Sequence, residues 1–91
     1  MSVKVYLVEA KLTHDTELWG KMDPYVELSY KEQWWKSGCI KSAGLEPKWY
    51  NLPNQFMVID YPVKDEEITL KVFDKDPCKN DLVGECKTTI Q

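Results

Sequence analysis

Several features that mark common functional classes are scarce or missing in this sequence. It has one histidine, His14, and three cysteines, Cys39, Cys78 and Cys86, which lack the paired spacing of a zinc site. It has no glycine-rich phosphate loop and no Gly-x-Ser-x-Gly nucleophile motif. Since none of the usual catalytic arrangements is present, we predict that the chain is not an enzyme.

Long apolar runs and a strong net charge are also absent. No run approaches the roughly 20 apolar residues of a transmembrane helix, and the apolar start MSVKVYLVEA contains Lys4 and Glu9, unlike a signal peptide. The formal net charge of -3 disfavours a nucleic-acid partner. The 91 residues suffice for a single domain, which we assign to residues 1–91. The odd number of cysteines indicates reduced thiols and a cytoplasmic location.

What the sequence does contain is short stretches in which apolar and polar residues alternate. In YVELSY, for example, Val26, Leu28 and Tyr30 share one face of an extended chain. Predicted strands begin near Val3, Tyr25, Trp35, Gln55, Ile68 and Val83. Prolines and glycines separate these stretches, and no helical period is sustained. The pattern predicts an all-β fold, an antiparallel β-sandwich.

The strand prediction has consequences for cysteines and tryptophans. Cys39 and Cys86 lie in strand-like stretches, WKSGCIK and LVGECKTTI, and we predict that both are small core residues. Trp34 and Trp35 are adjacent, so a strand would bury one of them and expose the other.

The stretch VFDKDPCKNDLVGE places four acids within twelve residues: Asp74, Asp76, Asp81 and Glu85. Carboxylates this close repel one another unless a cation lies between them, and an oxygen-rich cluster suits calcium. An EF-hand loop does not explain the stretch, because Lys79 stands where that loop requires glycine and the flanks have strand patterns. Glu85 is interpreted as a surface residue and not as a ligand.

Four motifs in order, VKVYLVEA, GKMDPYV, EPKW and FDKDPCKNDLVGE, resemble the C2 domain, a calcium- and phospholipid-binding module. The small single-domain members of plants are particularly similar. The resemblance implies a C2-like Greek-key sandwich that binds calcium between loops at one end. The metal ligands that it implies are Glu17, Asp23, Asp74, Asp76 and Asp81. Glu17 departs from the usual aspartate, and the segment from Asp76 to Asp81 is one residue shorter than usual.

The resemblance also implies a membrane-targeting function. Leu18 and Trp19 lie in the first acidic loop, and we predict that they contact the membrane; the alternative is that Trp19 folds back over its own loop. Two calcium ions would change the net charge from -3 to +1 and favour an anionic phospholipid membrane. The expected location is therefore cytoplasmic, with peripheral membrane binding on calcium. The alternative function is a calcium-independent protein-interaction or scaffold domain.

Six predicted strands are fewer than the eight that the resemblance implies. We expect the last two strands of the sandwich to be lacking, so that the domain is C-terminally incomplete. Unpaired backbone groups inside a sandwich are costly. We therefore expect pairing to be restored by a strand-sharing homodimer, by a protein partner or by sequence outside this chain. The alternative is that the remaining strands close together.

Overall fold

A computed structural model of the chain describes residues 1–13, 21–76 and 80–89. Its secondary structure consists of strands and one short 3-10 turn. The strands are β1 (Ser2–Tyr6), β2 (Pro24–Tyr30), β3 (Gln33–Lys36), β4 (Phe56–Asp60), β5 (Glu67–Lys75) and β6 (Asn80–Thr89), and the 3-10 turn is Trp49–Asn51. No helix within the described ranges is long and apolar enough to cross a membrane.

The strands form two antiparallel sheets, as predicted. The larger sheet has the order β3-β2-β5-β6, and β1 pairs with β4 in the smaller one. In the larger sheet Leu28 lies opposite Leu70, so the apolar positions of neighbouring strands share one face. The register of β5 and β6 shifts after Val72: Val72 pairs with Gly84, whereas Phe73 pairs with Leu82. This β-bulge lies next to the acidic ends of both strands, the end of β5 and the start of β6.

The core lies between the sheets and confirms the predicted alternation. Val26, Leu28 and Tyr30 are all buried. The core cluster consists of Leu7, Met22, Val26, Leu28, Tyr30, Trp49, Met57, Ile59, Ile68, Val72 and Val83. Trp49 is completely buried, and its indole N–H donates a hydrogen bond of 2.9 Å to the Gly38 carbonyl. The polar atom of this large ring is therefore satisfied inside the core.

Tryptophans 34 and 35 follow the prediction for adjacent strand residues. Trp34 is 60% exposed, whereas Trp35 packs against the core. Because successive side chains of a strand point to opposite faces, only one of the two rings reaches the core. Glu85 is exposed, consistent with a surface position.

The predicted strand around Cys39 and the burial of both cysteines were wrong. β3 ends at Lys36, because the Ser37 hydroxyl accepts the Val26 N–H at 2.8 Å and replaces a backbone partner. Cys39 is therefore only half-buried. Cys86 does lie on β6, on the same face as the core residues, but it is exposed because no described strand covers that part of the sheet. Cys78 lies outside the described residues.

Candidate metal centre

Two of the predicted ligands, Asp23 and Asp74, meet at one end of the larger sheet. Asp23 precedes β2, and antiparallel pairing sets Pro24 opposite Asp74 near the end of β5. The Asp23 N–H donates a hydrogen bond of 2.9 Å to a carboxylate oxygen of Asp74. The Lys75 N–H donates in return to the Asp23 carbonyl, at 3.0 Å. The first of these bonds joins positions 51 residues apart in the sequence.

A third predicted ligand, Asp81, lies directly opposite Asp74 across β5 and β6. Side chains of directly opposed residues share a face of the sheet, and like charges in such pairs are destabilising. Asp74 is completely buried and Asp81 is half-buried, so water screens their repulsion less than at an open surface. A cation at this end would relieve that repulsion.

Asp76 follows β5 at the same end, beside a small cavity. The cavity has a volume of about 220 Å³ and is lined by Asp23, Cys39, Lys41, Lys75 and Asp76. Two lysines therefore lie at the same end as the acids. Their positive charges partly offset the negative field of the carboxylates.

The half-buried thiol of Cys39 is part of this cavity. It donates a weak hydrogen bond of 3.2 Å to the Asp23 carbonyl. Burial raises the pKa of the Cys39 thiol, and the negative charge of Asp23 raises it further. Lys75 and Lys41 act in the opposite direction and lower this pKa. The thiol is therefore held in its neutral form.

The chemistry of the acids fits a hard cation, because carboxylate and carbonyl oxygens are the donors that calcium prefers. One oxygen of Asp23 already accepts the Ser42 N–H at 2.6 Å. Within residues 1–13, 21–76 and 80–89, no group of three or more histidine, cysteine or acidic side chains is placed to hold a metal ion. The ligand set predicted from the sequence also includes Glu17, which lies outside the described residues, as do Leu18 and Trp19.

Sequence reasoning missed the basic residues beside the acids. Lys75 stands between Asp74 and Asp76 in the sequence, so its proximity could have been noticed. Lys41 comes from the segment after β3, and only the fold brings it to the cavity. No local pattern in the sequence indicates this contact.

Comparison with known proteins places this geometry in a family. The model of the C2 domain matches residues 1–91. The chain belongs to the C2 domain family. Among solved structures, one titled "Structure of a C2 domain" superposes with a TM-score of 0.82 at 20% identity, over 100% of this chain and 78% of the other. That likeness supports the two-sheet sandwich described above.

Two curated relatives show how this C2 domain compares with whole proteins. The chain is 32% identical to the 16 kDa phloem protein 2 of Arabidopsis thaliana, over 99% of this chain and 59% of that protein. It is 37% identical to human extended synaptotagmin-1, over 78% of this chain and 6% of that protein. The chain thus spans about 60% of the plant relative and a small part of the human one.

Proposed function

We propose that this chain is a calcium-dependent membrane-targeting module, a single C2 domain over residues 1–91 with no catalytic activity. Glu17, Asp23, Asp74, Asp76 and Asp81 would hold calcium at one end of the sandwich. Bound calcium reverses the sign of the charge there and attracts anionic phospholipid. The domain is then cytoplasmic and binds the membrane peripherally when calcium rises.

One observation carries the proposal: acids from three separate strands or strand ends converge at one end of the sheet. Asp23 bonds to the buried Asp74, and Asp81 faces Asp74 directly. If these acids were only solvated turn residues, their proximity would give the fold no advantage, because neighbouring carboxylates repel one another. Binding of a divalent cation offsets that cost, and neutralising an acidic site is the step that favours an anionic surface.

A second function, a calcium-independent protein-interaction or scaffold domain, is favoured by a different observation. Lys41 and Lys75 line the same cavity as Asp23 and Asp76, so fixed positive charges already balance part of the acidic cluster. In that case, the partner is another protein, bound directly or through a strand shared between two copies. Calcium then changes neither the stability nor the membrane affinity of the domain.

Co-sedimentation with vesicles distinguishes the two functions. Vesicles that contain phosphatidylserine should sediment the protein in millimolar calcium but not in EDTA. The double variant Asp74→Asn with Asp76→Asn should lose this binding, because it removes two of the charges that attract the cation. Asp60→Asn is the matched control, since Asp60 is an exposed aspartate of β4. Equal sedimentation in calcium and in EDTA would reject the calcium-dependent function.

Tryptophan fluorescence tests the predicted membrane contact in the same samples. An indole that enters the headgroup region emits at shorter wavelength. Calcium with phosphatidylserine vesicles should therefore shift the emission to the blue, and Trp19→Ala should remove most of the shift. Trp34→Ala serves as the control, because Trp34 is also exposed but lies on β3. Loss of the shift in this control alone would place the contact on the side of the sheet.

A further inference from the structure

The chain that follows β3 runs beside the start of β2 without forming a regular strand. The Ile40 N–H donates to the Pro24 carbonyl at 3.0 Å, and the Ala43 N–H donates to the Met22 carbonyl at 3.0 Å. We call residues 40–44 the flanking segment. Its bonds on either side of position 23 place it next to one of the predicted metal ligands.

The flanking segment ends in a turn with left-handed backbone angles. The φ angle is +54° at Ser42 and +65° at Gly44, values that glycine adopts freely and other residues rarely adopt. The Ala43 and Gly44 N–H groups donate to the Met22 carbonyl, at 3.0 and 3.3 Å. The Ser42 N–H donates instead to the Oδ1 atom of Asp23, at 2.6 Å. Successive main-chain N–H groups in a turn form a concave site for an anionic group, and here that group is the Asp23 carboxylate.

The main chain of Asp23 is fixed by a different element, the end of β5. Its N–H donates to Asp74 at 2.9 Å, and its carbonyl accepts the Lys75 N–H at 3.0 Å. These bonds hold the main chain but do not set the side-chain torsions of Asp23. Within the described part of the chain, the Ser42 N–H is the one hydrogen-bond donor to the Asp23 carboxylate. Ser42 therefore sets where the charge of Asp23 lies in the cavity that Asp76 also lines.

An aspartate held through one oxygen keeps its other oxygen for a cation. Because Oδ1 of Asp23 accepts the Ser42 N–H, Oδ2 is the atom available to calcium. A ligand that is already oriented loses less conformational entropy when its partner binds. Loss of a hydrogen-bond partner that orients a metal ligand commonly weakens metal binding by roughly 10–100-fold.

We propose that Ser42 is a positioning residue of the calcium site: its left-handed backbone directs an N–H at Asp23 and orients that carboxylate before the cation binds. The bond comes from the main chain, so the serine side chain acts only through the backbone angles that it permits. Ser42 supplies neither a charge nor a metal ligand. The inference rests on the proposed function, because it requires calcium as the ligand.

A turn that only tied the flanking segment to the start of β2 would behave differently. The two bonds to the Met22 carbonyl would hold such a turn in place without Asp23. Distortion of the turn would then lower the stability of the fold and leave the calcium affinity unchanged. Calcium affinity and stability, measured on the same variants, therefore separate a positioning role from a structural one.

Hydrogen exchange in EDTA tests the bond itself, without calcium. The Ser42 amide should exchange slowly although Ser42 is exposed, because it donates to Asp23. Asp23→Ala should speed exchange at Ser42 by about tenfold or more, whereas the Ala43 amide should stay slow because its acceptor is the Met22 carbonyl. Rapid exchange at Ser42 in the unmodified protein, or exchange there that Asp23→Ala leaves unchanged, would overturn the proposal whether or not calcium binds.

Calorimetric titration of two Ser42 variants tests the effect on calcium. Valine is β-branched and strongly disfavours the left-handed region, so Ser42→Val should raise the Kd for calcium by about tenfold or more. Ser42→Gly permits the same angles and should keep the Kd within about threefold. Tyr61→Val is the matched control, because Tyr61 has a φ of +53°, is 80% exposed and lies beside Tyr30 at the other end of β2. This control should lose stability in EDTA, as Ser42→Val does, and keep the Kd of the unmodified protein.

The outcomes distinguish this inference from the proposed function. If the unmodified protein binds calcium and Ser42→Val binds it equally well, the positioning role is overturned and the proposed function stands. A similar rise of the Kd in Tyr61→Val would assign the effect to lost stability and would also overturn the positioning role. An unmodified protein that binds no calcium would reject the proposed function, and this inference with it.

Discussion

Substitutions of Asp74 separate its charge from its hydrogen bond. Asp74→Ala removes the acceptor for the Asp23 N–H, and a hydrogen bond to a charged group contributes about 1.5–3 kcal/mol. The same change removes the repulsion from Asp81, which offsets part of the loss. We therefore expect Asp74→Ala to lower the free energy of unfolding in EDTA by about 1–2 kcal/mol. For a domain of this size that lowers Tm by roughly 4–16 °C.

Asp74→Asn keeps an oxygen acceptor for the Asp23 N–H and removes only the charge. In EDTA its free energy of unfolding should equal that of the unmodified protein within about 0.5 kcal/mol, or exceed it. Millimolar calcium should reverse this order. A ligand at a hundred times its Kd adds about 2.7 kcal/mol to the unmodified protein, and the Asn variant should not gain it.

Urea unfolding of the three proteins, with and without calcium, measures these differences. The reasoning fails if Asp74→Asn is as unstable in EDTA as Asp74→Ala, because the charge itself would then be stabilising. It also fails if calcium leaves the unfolding curve of the unmodified protein unchanged. In that case the acids at this end form a structural network, and the scaffold function becomes the better account.

Three further predictions concern the core and the thiols. Trp49→Ala should lower the free energy of unfolding in urea by about 3–5 kcal/mol, because Trp49 is completely buried and its N–H is bonded to Gly38. Trp34→Ala should change that free energy by no more than about 0.5 kcal/mol. Similar costs for both variants would refute this assignment of the core. Cys86 should react with iodoacetamide faster than Cys39, since Cys86 is exposed and burial raises the pKa of Cys39. Because the Cys39 thiol ionises less readily in the folded protein than in the unfolded chain, the fold keeps its full stability below the pKa of an unfolded thiol, about 8.5. As the pH rises above that value, the free energy of unfolding falls. Between pH 8 and 10, the free energy of unfolding of Cys39→Ser should therefore fall less than that of the unmodified protein. An identical pH dependence of the two proteins would argue against ionisation of Cys39 as the cause.

The existence and approximate positions of the strands could be predicted from the sequence. Alternation with period two is a local property, so it identified the buried face of β2 at Val26, Leu28 and Tyr30 without knowledge of the partners. The acids at the end of β5 and the start of β6 were also visible locally, in one short stretch. Prediction failed at Cys39, because the Ser37 hydroxyl accepts the Val26 N–H and the strand ends before Cys39. A local period does not report such a competing hydrogen bond.

By itself the sequence determined the all-β pattern, the acidic stretch and the motifs that resemble a C2 domain, because these depend on neighbouring residues alone. Only the tertiary structure decided that Asp23 bonds to Asp74, that Lys41 lines a cavity with Asp23 and that Cys86 is exposed on an inward face. The physical reason is that strand register and sheet order join residues far apart in the chain. The alternation of apolar and polar residues along one strand predicts which face a side chain occupies. It does not predict whether another strand covers that face.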